Sequence, residues 1–289
     1  MRTRITSLYK LVVILIFLFF ENSHLSAQQT LPDGTLATPA YISEILKNLA
    51  QEDALKFDTS SVDLSVKLSV AIYLVRDSDG NLNINQSDIS PVIDDVNNYF
   101  KYIGVSFNVK SITNVDDYHY SYFSIYSRPK ELLLKHSTEK TINLYLVDSI
   151  SKDSVQYYGF TYFPIDTMNN YIFLNKKFFS GNYLSCMIGH FFGLLSTHEK
   201  TGGIEFVDES NCSTKGDLIC DTYADPDLLN MVDKKCLYFG VFRDPKSIYF
   251  IPSVANIMSN SPGKCRCLFT KQQYRRMYFY YKKYRQYLR

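Results

Sequence analysis

The chain has 289 residues, and its 31 lysine and arginine residues nearly balance 29 aspartate and glutamate residues, giving a net charge of +2 at pH 7. This balance lacks the strongly basic character of many nucleic-acid-binding proteins, so we expect no nucleic-acid partner. With 46% hydrophobic residues, a chain of this length can bury a large core, as one domain or as two lobes.

The first 27 residues are predicted to be a signal peptide. Basic residues precede an apolar run at 11–20, LVVILIFLFF, which has the length of a signal-peptide core and is too short to span a bilayer comfortably. Small residues at 26 and 27 suit cleavage before Gln28. We therefore expect a secreted or periplasmic protein with no membrane span after cleavage, with an uncleaved anchor as the alternative.

The remaining chain is predicted to contain an N-terminal extension at 28–62 and one main domain at 63–289. That domain divides into an upper lobe at about 63–196 and a lower lobe at about 197–289. The lower lobe holds five of the six cysteines, and an exported chain with an even number of cysteines favours disulfides.

Helix and strand patterns alternate through the upper lobe and its extension. We predict helices at 40–52 and 88–103, strands at 66–75, 104–112 and 141–150, and a strand–turn–strand unit at 157–178. A central helix follows at about 182–196, then an irregular segment at 199–264 and a closing helix after Phe269 and Thr270. The order predicts an α/β lobe followed by an irregular one, without a flexible linker or an internal repeat.

The central helix, LSCMIGHFFGLLSTHE at 184–199, has the frame of a zinc-protease helix. In HExxH, two histidines on one helix face bind the ion, and the glutamate takes a proton from the zinc-bound water. The longer form, HExxHxxGxxH, adds a glycine turn and a third histidine. His190 and Gly193 match this frame, whereas other residues stand at the first histidine, the glutamate and the third histidine: Cys186, Met187 and Ser196.

Three further segments carry a family resemblance. The stretches YYGFTYFPI at 157–165, GDLICDTYADPDL at 216–228 and ANIMSNSPGKCRCLFTKQQYRRM at 255–277 resemble, in this order, segments of pappalysin-like metzincin metalloproteases. The resemblance implies an α/β (α+β) fold with two lobes. It would contain a mixed twisted sheet, a central helix and an irregular, disulfide-containing C-terminal lobe. The activity of the family is zinc-dependent endopeptidase cleavage.

The resemblance also assigns residues. It makes His190 a candidate zinc ligand and Met258 the methionine of the turn beneath the metal. Four cysteines stand at family cysteine positions, with their pairing left open: Cys212, Cys220, Cys236 and Cys265. Cys186 and Cys267 are additional, and a bridge between them is one hypothesis.

The degenerate motif leaves no intact catalytic residue set, so we predict that zinc is absent. The alternative is a rearranged zinc site formed by Cys186, His190 and His198, with Glu199 as the base. A Cys186–His190 nucleophilic pair is a further option.

Calcium is the other candidate metal. Relatives bind calcium near the acidic segment at 216–228, and Asp217 and Thr222 are candidate ligands there. The alternative is a solvated loop rich in turns.

The favoured function is an exported, catalytically inactive homologue that binds a peptide, protein or glycan. We expect an extended ligand to pair with an edge strand placed near 171–174. The alternatives are an active zinc endopeptidase and a structural envelope protein.

Overall fold

The computed structural model describes residues 31–58, 66–125, 130–165 and 169–288. The predicted signal peptide lies outside the described residues. Within these ranges, no helix is long and apolar enough to cross a membrane.

Eight strands form two sheets. The strands are β1 (Val66–Val75), β2 (Val105–Val115), β3 (Tyr122–Ser124), β4 (Ile142–Val147), β5 (Ser149–Lys152), β6 (Val155–Tyr157), β7 (Gly159–Thr161) and β8 (Tyr171–Asn175). The main sheet has the order β2-β1-β4-β8-β7, with β7 antiparallel to its neighbour and the other pairs parallel. The small sheet has the order β3-β5-β6.

The principal helices are α1 (Pro39–Asp53), α2 (Ile89–Phe100), α3 (Lys130–Lys135), α4 (Gly181–Phe191) and α5 (Lys271–Tyr280). α4 ends earlier than the predicted limit at 196 because the chain turns at Gly193, whose φ is 100°. Only glycine adopts such an angle without steric cost. The turn redirects the backbone towards the lower lobe.

Alternation along β1 divides the upper core into two layers. Leu68, Val70 and Ile72 pack with residues of α2 and α4, while Ala71 and Tyr73 face the layer beside the small sheet. Successive side chains of a strand point to opposite faces, so a strand covered on both sides reads as a continuous apolar run. The layer that packs against α4 includes the motif residues Cys186 and Met187, which are therefore buried in the core.

The edge of the main sheet differs from the prediction. The strand at Tyr171–Asn175 lies between β4 and β7, so the edge prediction near 171–174 is wrong. The edge strand on this side of the sheet is β7, which is short and begins with the glycine at 159. A run of apolar residues could not distinguish an inner strand from an edge strand here.

Candidate functional site

The site is built on α4, which holds the motif residues inside the core. Cys186, Met187 and His190 are each 1% exposed or less. Residues four apart lie on one helix face, so Cys186 and His190 point to the same side. Cys186 Sγ lies 3.9 Å from His190 Nε2.

The partner of His190 comes from the N-terminal extension. Asp33 Oδ2 lies 2.5 Å from His190 Nε2, and Ser196 Oγ lies 3.4 Å from the same carboxylate oxygen. On the other side of the ring, His190 Nδ1 donates to the carbonyl of Leu194 at 2.7 Å. The Asp33 carboxylate thus lies between His190, at the retained histidine position, and Ser196, at the position of the missing third histidine.

The Asp33–His190 contact is a buried ion pair. The imidazole is fully buried and the Asp33 side chain is 4% exposed. Burial alone lowers the pKa of His190, but the Asp33 carboxylate overcomes this effect and holds that pKa well above its usual value. Burial likewise opposes ionisation of Asp33, and the attraction of His190 still leaves the Asp33 pKa below its usual value.

The Cys186 thiol belongs to a second hydrogen-bonded chain. Tyr158 donates its hydroxyl proton to Cys186 Sγ at 3.2 Å, and Arg266 Nη1 donates to the Tyr158 oxygen at 3.2 Å. Arg266 is fully buried, and its guanidinium lies 4.9 Å from the ring centroid of Tyr183. A buried cation beside the thiol disfavours another cation at the same place.

The chain before α1, residues 31–38, lies along the edge strand and delivers Asp33. The amide of Tyr158 donates to the carbonyl of Pro32 at 3.0 Å, and the amide of Gly34 donates to the carbonyl of Gly159 at 2.9 Å. We call residues 31–38 the N-terminal segment. Because it pairs with the edge, an extended peptide cannot pair there while the segment is in place.

Met187 and Met258 fill space on two sides of the helix. Met187 Sδ lies 2.5 Å from where a Cβ on Gly159 would sit, so Met187 packs beneath the edge strand. Met258 Sδ approaches Gly189 in the same way, at 2.6 Å. Met258 therefore lies directly under α4, where the family resemblance places it, while Met187 offers no proton acceptor.

The residues present do not fit a catalytic zinc ion. Asp33, Cys186 and His190 bring a carboxylate, a thiol and an imidazole within 4.8 Å of one another. However, two ligands of one tetrahedral zinc, each about 2.0 Å from the ion, lie roughly 3.2 Å apart, whereas Asp33 and His190 approach to hydrogen-bond distance. The third donor, Cys186, already accepts a hydrogen bond beside a buried guanidinium.

His198, the third ligand of the alternative zinc site, lies apart from this cluster. Its Nε2 accepts a hydrogen bond from Asn260 Nδ2 at 3.1 Å. The Glu199 carboxylate accepts hydrogen bonds from the backbone amides of Lys200 and Thr201. The structure thus joins Cys186 and His190, adds Asp33, and leaves His198 and Glu199 elsewhere.

Two buried carboxylates, Glu205 and Asp217, lie near each other in the lower lobe. Both carboxylate oxygens of Glu205 are buried without a hydrogen-bond partner in the described part of the chain. Burial and the nearby Asp217 raise the pKa of Glu205 to about 9. Burial also raises the pKa of Asp217 to about 7, and Thr222 Oγ1 lies 3.0 Å from its Oδ2. Buried oxygen ligands with unmet charge are the donors that Ca²⁺ prefers.

The cysteines of the lower lobe form two disulfides, Cys212–Cys220 and Cys236–Cys265. The hypothesis of a Cys186–Cys267 bridge is wrong, because both residues are free, with Cys186 buried and Cys267 exposed. Cys186 lies in the core, where its sulfur accepts a hydrogen bond from the Tyr158 hydroxyl.

A polar crevice lies at the carboxyl ends of β1, β4 and β8. It has a volume of about 670 Å³. Its lining is Leu31, Asp77, Asn83, Tyr122, Asp148, Ser149, Gln156, Asn175, Lys177 and Phe178. Sequence reasoning missed it because these residues come from separate loops. The one available signal was a polar residue at the end of each of two buried strands, with Asp148 directly after β4 and Asn175 as the last residue of β8.

Solved structures with a similar fold include mirolysin and a bacterial metalloproteinase. The chain resembles mirolysin in complex with compound 9, with a TM-score of 0.52 and 17% identity, over 75% of this chain and 91% of that one. The fold is metzincin-like. Mature mirolysin of Tannerella forsythia with a cleaved peptide gives a TM-score of 0.49 at 17% identity, covering 73% of this chain and 90% of that one.

Metalloproteinase-II of Bacteroides fragilis gives a TM-score of 0.32 at 15% identity, over 63% of this chain and 56% of that one. No protein-family model matches the chain, and no curated protein matches its sequence. The likeness to these proteins is therefore one of fold.

Proposed function

We propose that this chain is an exported, pappalysin-type metallopeptidase homologue that has lost peptidase activity and acts by binding a ligand. The observation that supports the loss of activity is the buried Asp33–His190 pair. His190 is the one retained zinc-ligand residue of the motif. Its Nε2 lies 2.5 Å from the Asp33 carboxylate, so this nitrogen holds a proton where a zinc ligand would need a free electron pair.

The remaining chemistry is also missing. Peptide hydrolysis by a metzincin needs a metal to activate water and a base to take the proton. Met187 stands where that base would be and is 0% exposed. The N-terminal segment in addition covers the edge strand, so productive pairing of a substrate requires its displacement.

The polar crevice is the proposed binding site. In open α/β sheets, ligands bind outside the carboxyl ends of parallel strands, where the strand order reverses. Here the chain runs from β1 to β2 on one side and then to β4 on the other side of β1. Asp77 follows β1 and Asp148 follows β4, so the crevice opens at this reversal.

The lining favours a glycan over an extended peptide. Amide and carboxylate side chains, including Asn83 and Gln156, offer the planar donors and acceptors that pair with vicinal hydroxyls, and Tyr122 is 59% exposed at the rim. An aromatic face with one polar edge suits the apolar face of a sugar ring.

Loss of activity is tested with casein and a peptide library, with and without added zinc. We expect no cleavage by the purified chain and no effect of a chelator. Zinc-dependent cleavage that a chelator abolishes would establish the alternative, an active endopeptidase.

Binding is tested on a glycan panel with the natural chain and the variants Tyr122→Ala and Gln156→Ala. We expect glycan binding that each variant weakens, while the control Tyr118→Ala, at an exposed tyrosine outside the crevice, binds normally. Binding that survives both crevice variants would place the ligand elsewhere. Absence of any ligand, together with envelope association, would favour the structural alternative.

We further propose that Ca²⁺ binds Glu205 and Asp217, with Thr222 beside them, and acts structurally by neutralising buried carboxylates. Calcium should raise the melting temperature of the natural chain and leave that of Glu205→Gln unchanged in differential scanning calorimetry. Glu199→Gln, at an exposed loop carboxylate, is the control and should keep the calcium response. An equal calcium response of Glu205→Gln would contradict the assignment.

A further inference from the structure

Two consecutive hairpins in the lower lobe repeat one sequence pattern. VDKKCLYF at 232–239 aligns with RDPKSIYF at 243–250, with aspartate, lysine, tyrosine and phenylalanine at matching places. The prediction that the chain contains no internal repeat is therefore wrong.

The two hairpins also share their backbone geometry. Asp233 N donates to Leu237 O at 3.0 Å, and Asp244 N donates to Ile248 O at 2.9 Å. Each hairpin closes with an antiparallel bridge, Val232–Tyr238 in the first and Arg243–Tyr249 in the second. We call residues 231–252 the double hairpin.

Large apolar side chains are exposed throughout this unit. Val241 is 79% exposed and Ile251 is 74% exposed. The other exposed apolar residues of the unit are Leu237, Phe239, Phe242, Ile248 and Tyr249. So dense an exposed apolar group marks a binding surface in a soluble protein.

The accessible charge of the double hairpin is positive. Its two aspartates, Asp233 and Asp244, are buried, and each accepts backbone amides of its own turn. Lys234, Lys235 and Arg243 are exposed. The unit therefore presents cations among apolar side chains, without an accessible carboxylate of its own.

The scaffold beneath this surface is fixed. The Cys236–Cys265 disulfide ties the first hairpin to the segment before α5. Arg243 stacks on the Tyr249 ring at 3.5 Å in the second hairpin. The apolar side chains are thus held on a framework that does not need to fold when it binds.

We propose that the double hairpin docks onto an anionic phospholipid bilayer. Its apolar side chains would enter the boundary between headgroups and acyl chains while the lysine and arginine residues contact lipid phosphates. Charge complementarity favours this occupant over a neutral surface. The inference is independent of the loss of peptidase activity and of the polar crevice.

The chain contains no tryptophan, so single tryptophan variants report directly on insertion. We would compare Val241→Trp and Ile251→Trp with Leu134→Trp, a control at a residue that is 84% exposed outside the double hairpin. Each protein is mixed with vesicles of phosphatidylcholine alone or with added phosphatidylglycerol. Co-sedimentation of the natural chain is measured in parallel.

The expected result is a blue shift of emission for Val241→Trp and Ile251→Trp with the anionic vesicles only, and no shift for Leu134→Trp. Lys235→Gln should weaken co-sedimentation about fivefold, which corresponds to about 1 kcal/mol per cation at an anionic surface. Val241→Asp should weaken it further and keep the natural melting temperature, since residue 241 is outside the core.

Three results would overturn the proposal. They are no co-sedimentation of the natural chain, equal binding to neutral vesicles, and a dimer in analytical ultracentrifugation that Val241→Asp disperses while vesicles do not bind. The last result would assign the surface to a second copy of the chain.

Discussion

At the level of single residues, the site is dominated by the buried contact between the Asp33 carboxylate and the His190 imidazole. Asp33 and His190 are both excluded from solvent, and each holds the other in its charged form. A buried pair of this kind contributes specificity and is costly to break, even where its net contribution to stability is small. A proton and a carboxylate thus satisfy His190 without a metal.

Asp33→Asn should destabilise the protein. The variant leaves a buried imidazole without its counter-charge, and the imidazole can release its proton, so we expect a loss on the order of 1–3 kcal/mol, typical of a buried polar group with a poor partner. Urea denaturation at pH 7 measures it. Ser196→Ala is the control, because its 3.4 Å contact with Asp33 is long, and it should cost under about 1 kcal/mol. Equal effects of the two variants would contradict the ion pair.

The ion pair also predicts a pH dependence of stability. The pKa of His190 is raised, so its contribution is complete below the unfolded value of about 6.5 and is lost as pH rises through the folded value. The pKa of Asp33 is lowered, so its contribution is present above the unfolded value of about 3.9 and is lost as pH falls through the folded value.

The difference in unfolding free energy between the natural chain and Asp33→Asn/His190→Gln should therefore be largest between about pH 4 and 6.5. It should decline above and below that window. Chemical denaturation across the pH range gives the profile, and a difference that does not change with pH would show that the pair is not charged.

At the scale of elements, the N-terminal segment decides whether the cleft is open. Its backbone pairs with Tyr158 and Gly159, and Tyr41 of α1 donates its hydroxyl to the carbonyl of Gly193 at 2.8 Å. The segment is thus hydrogen-bonded to the edge strand, and α1 is hydrogen-bonded to the turn after α4.

Gly34→Ala should loosen the segment, because the added Cβ would lie 2.7 Å from Ile125 Cδ1 and 3.1 Å from the carbonyl oxygen of Gly159. We expect the backbone amides of β7 to exchange faster, as measured by hydrogen–deuterium exchange on the proteolytic fragment that contains this strand. Gly202→Ala is the matched control, since its Cβ would meet nothing closer than 3.5 Å. Unchanged exchange at β7 in Gly34→Ala would show that the segment does not protect the edge.

Much of the element order could be predicted because it rests on local patterns. The apolar run at 66–75 is β1 along its full length, and Thr270 caps α5 through a reciprocal contact with Gln273, as its sequence position suggests. These elements predicted an α/β lobe followed by an irregular one, and the family resemblance supplied the metzincin-like fold. The family resemblance, not a local pattern, assigned Met258 to the turn beneath the site.

The role of Asp33 as the partner of His190 could not be predicted, because the two residues are distant in sequence. Asp33 reaches His190 across 157 positions, and nothing in LPDGT marks an aspartate that enters a core. The edge strand was misplaced for a related reason, since strand order in a sheet depends on contacts between distant segments. The repeat of the double hairpin escaped notice because it is short.

At the scale of the whole molecule, a buried link joins the N-terminal helix to the C-terminal one. Arg276 of α5 lies 3.1 Å from Glu52 of α1, and both side chains are 1% exposed. Arg276 also donates to the carbonyls of Asp217 and Leu218 in the acidic segment. One guanidinium therefore connects the extension, the closing helix and the proposed calcium site.

Glu52→Gln should cost about 3–5 kcal/mol, because it leaves the Arg276 charge buried without its partner. Asp53→Asn offers a control on the same two helices, since Asp53 pairs with Arg275 but is 63% exposed, and it should cost under about 1 kcal/mol. Thermal and urea denaturation measure both. Similar costs would show that the two helices are not joined through the buried pair.

We propose that the Asp33, Cys186 and His190 cluster of this metzincin-like fold binds no metal. The direct measurement is the zinc content of the purified chain by elemental mass spectrometry, beside the variant Cys186→His/Met187→Glu/Ser196→His. The account predicts no zinc in the natural chain, and zinc in the variant if the frame of α4 is intact. About one zinc per natural chain would contradict it, and would mean that Asp33, Cys186 and His190 rearrange around an ion.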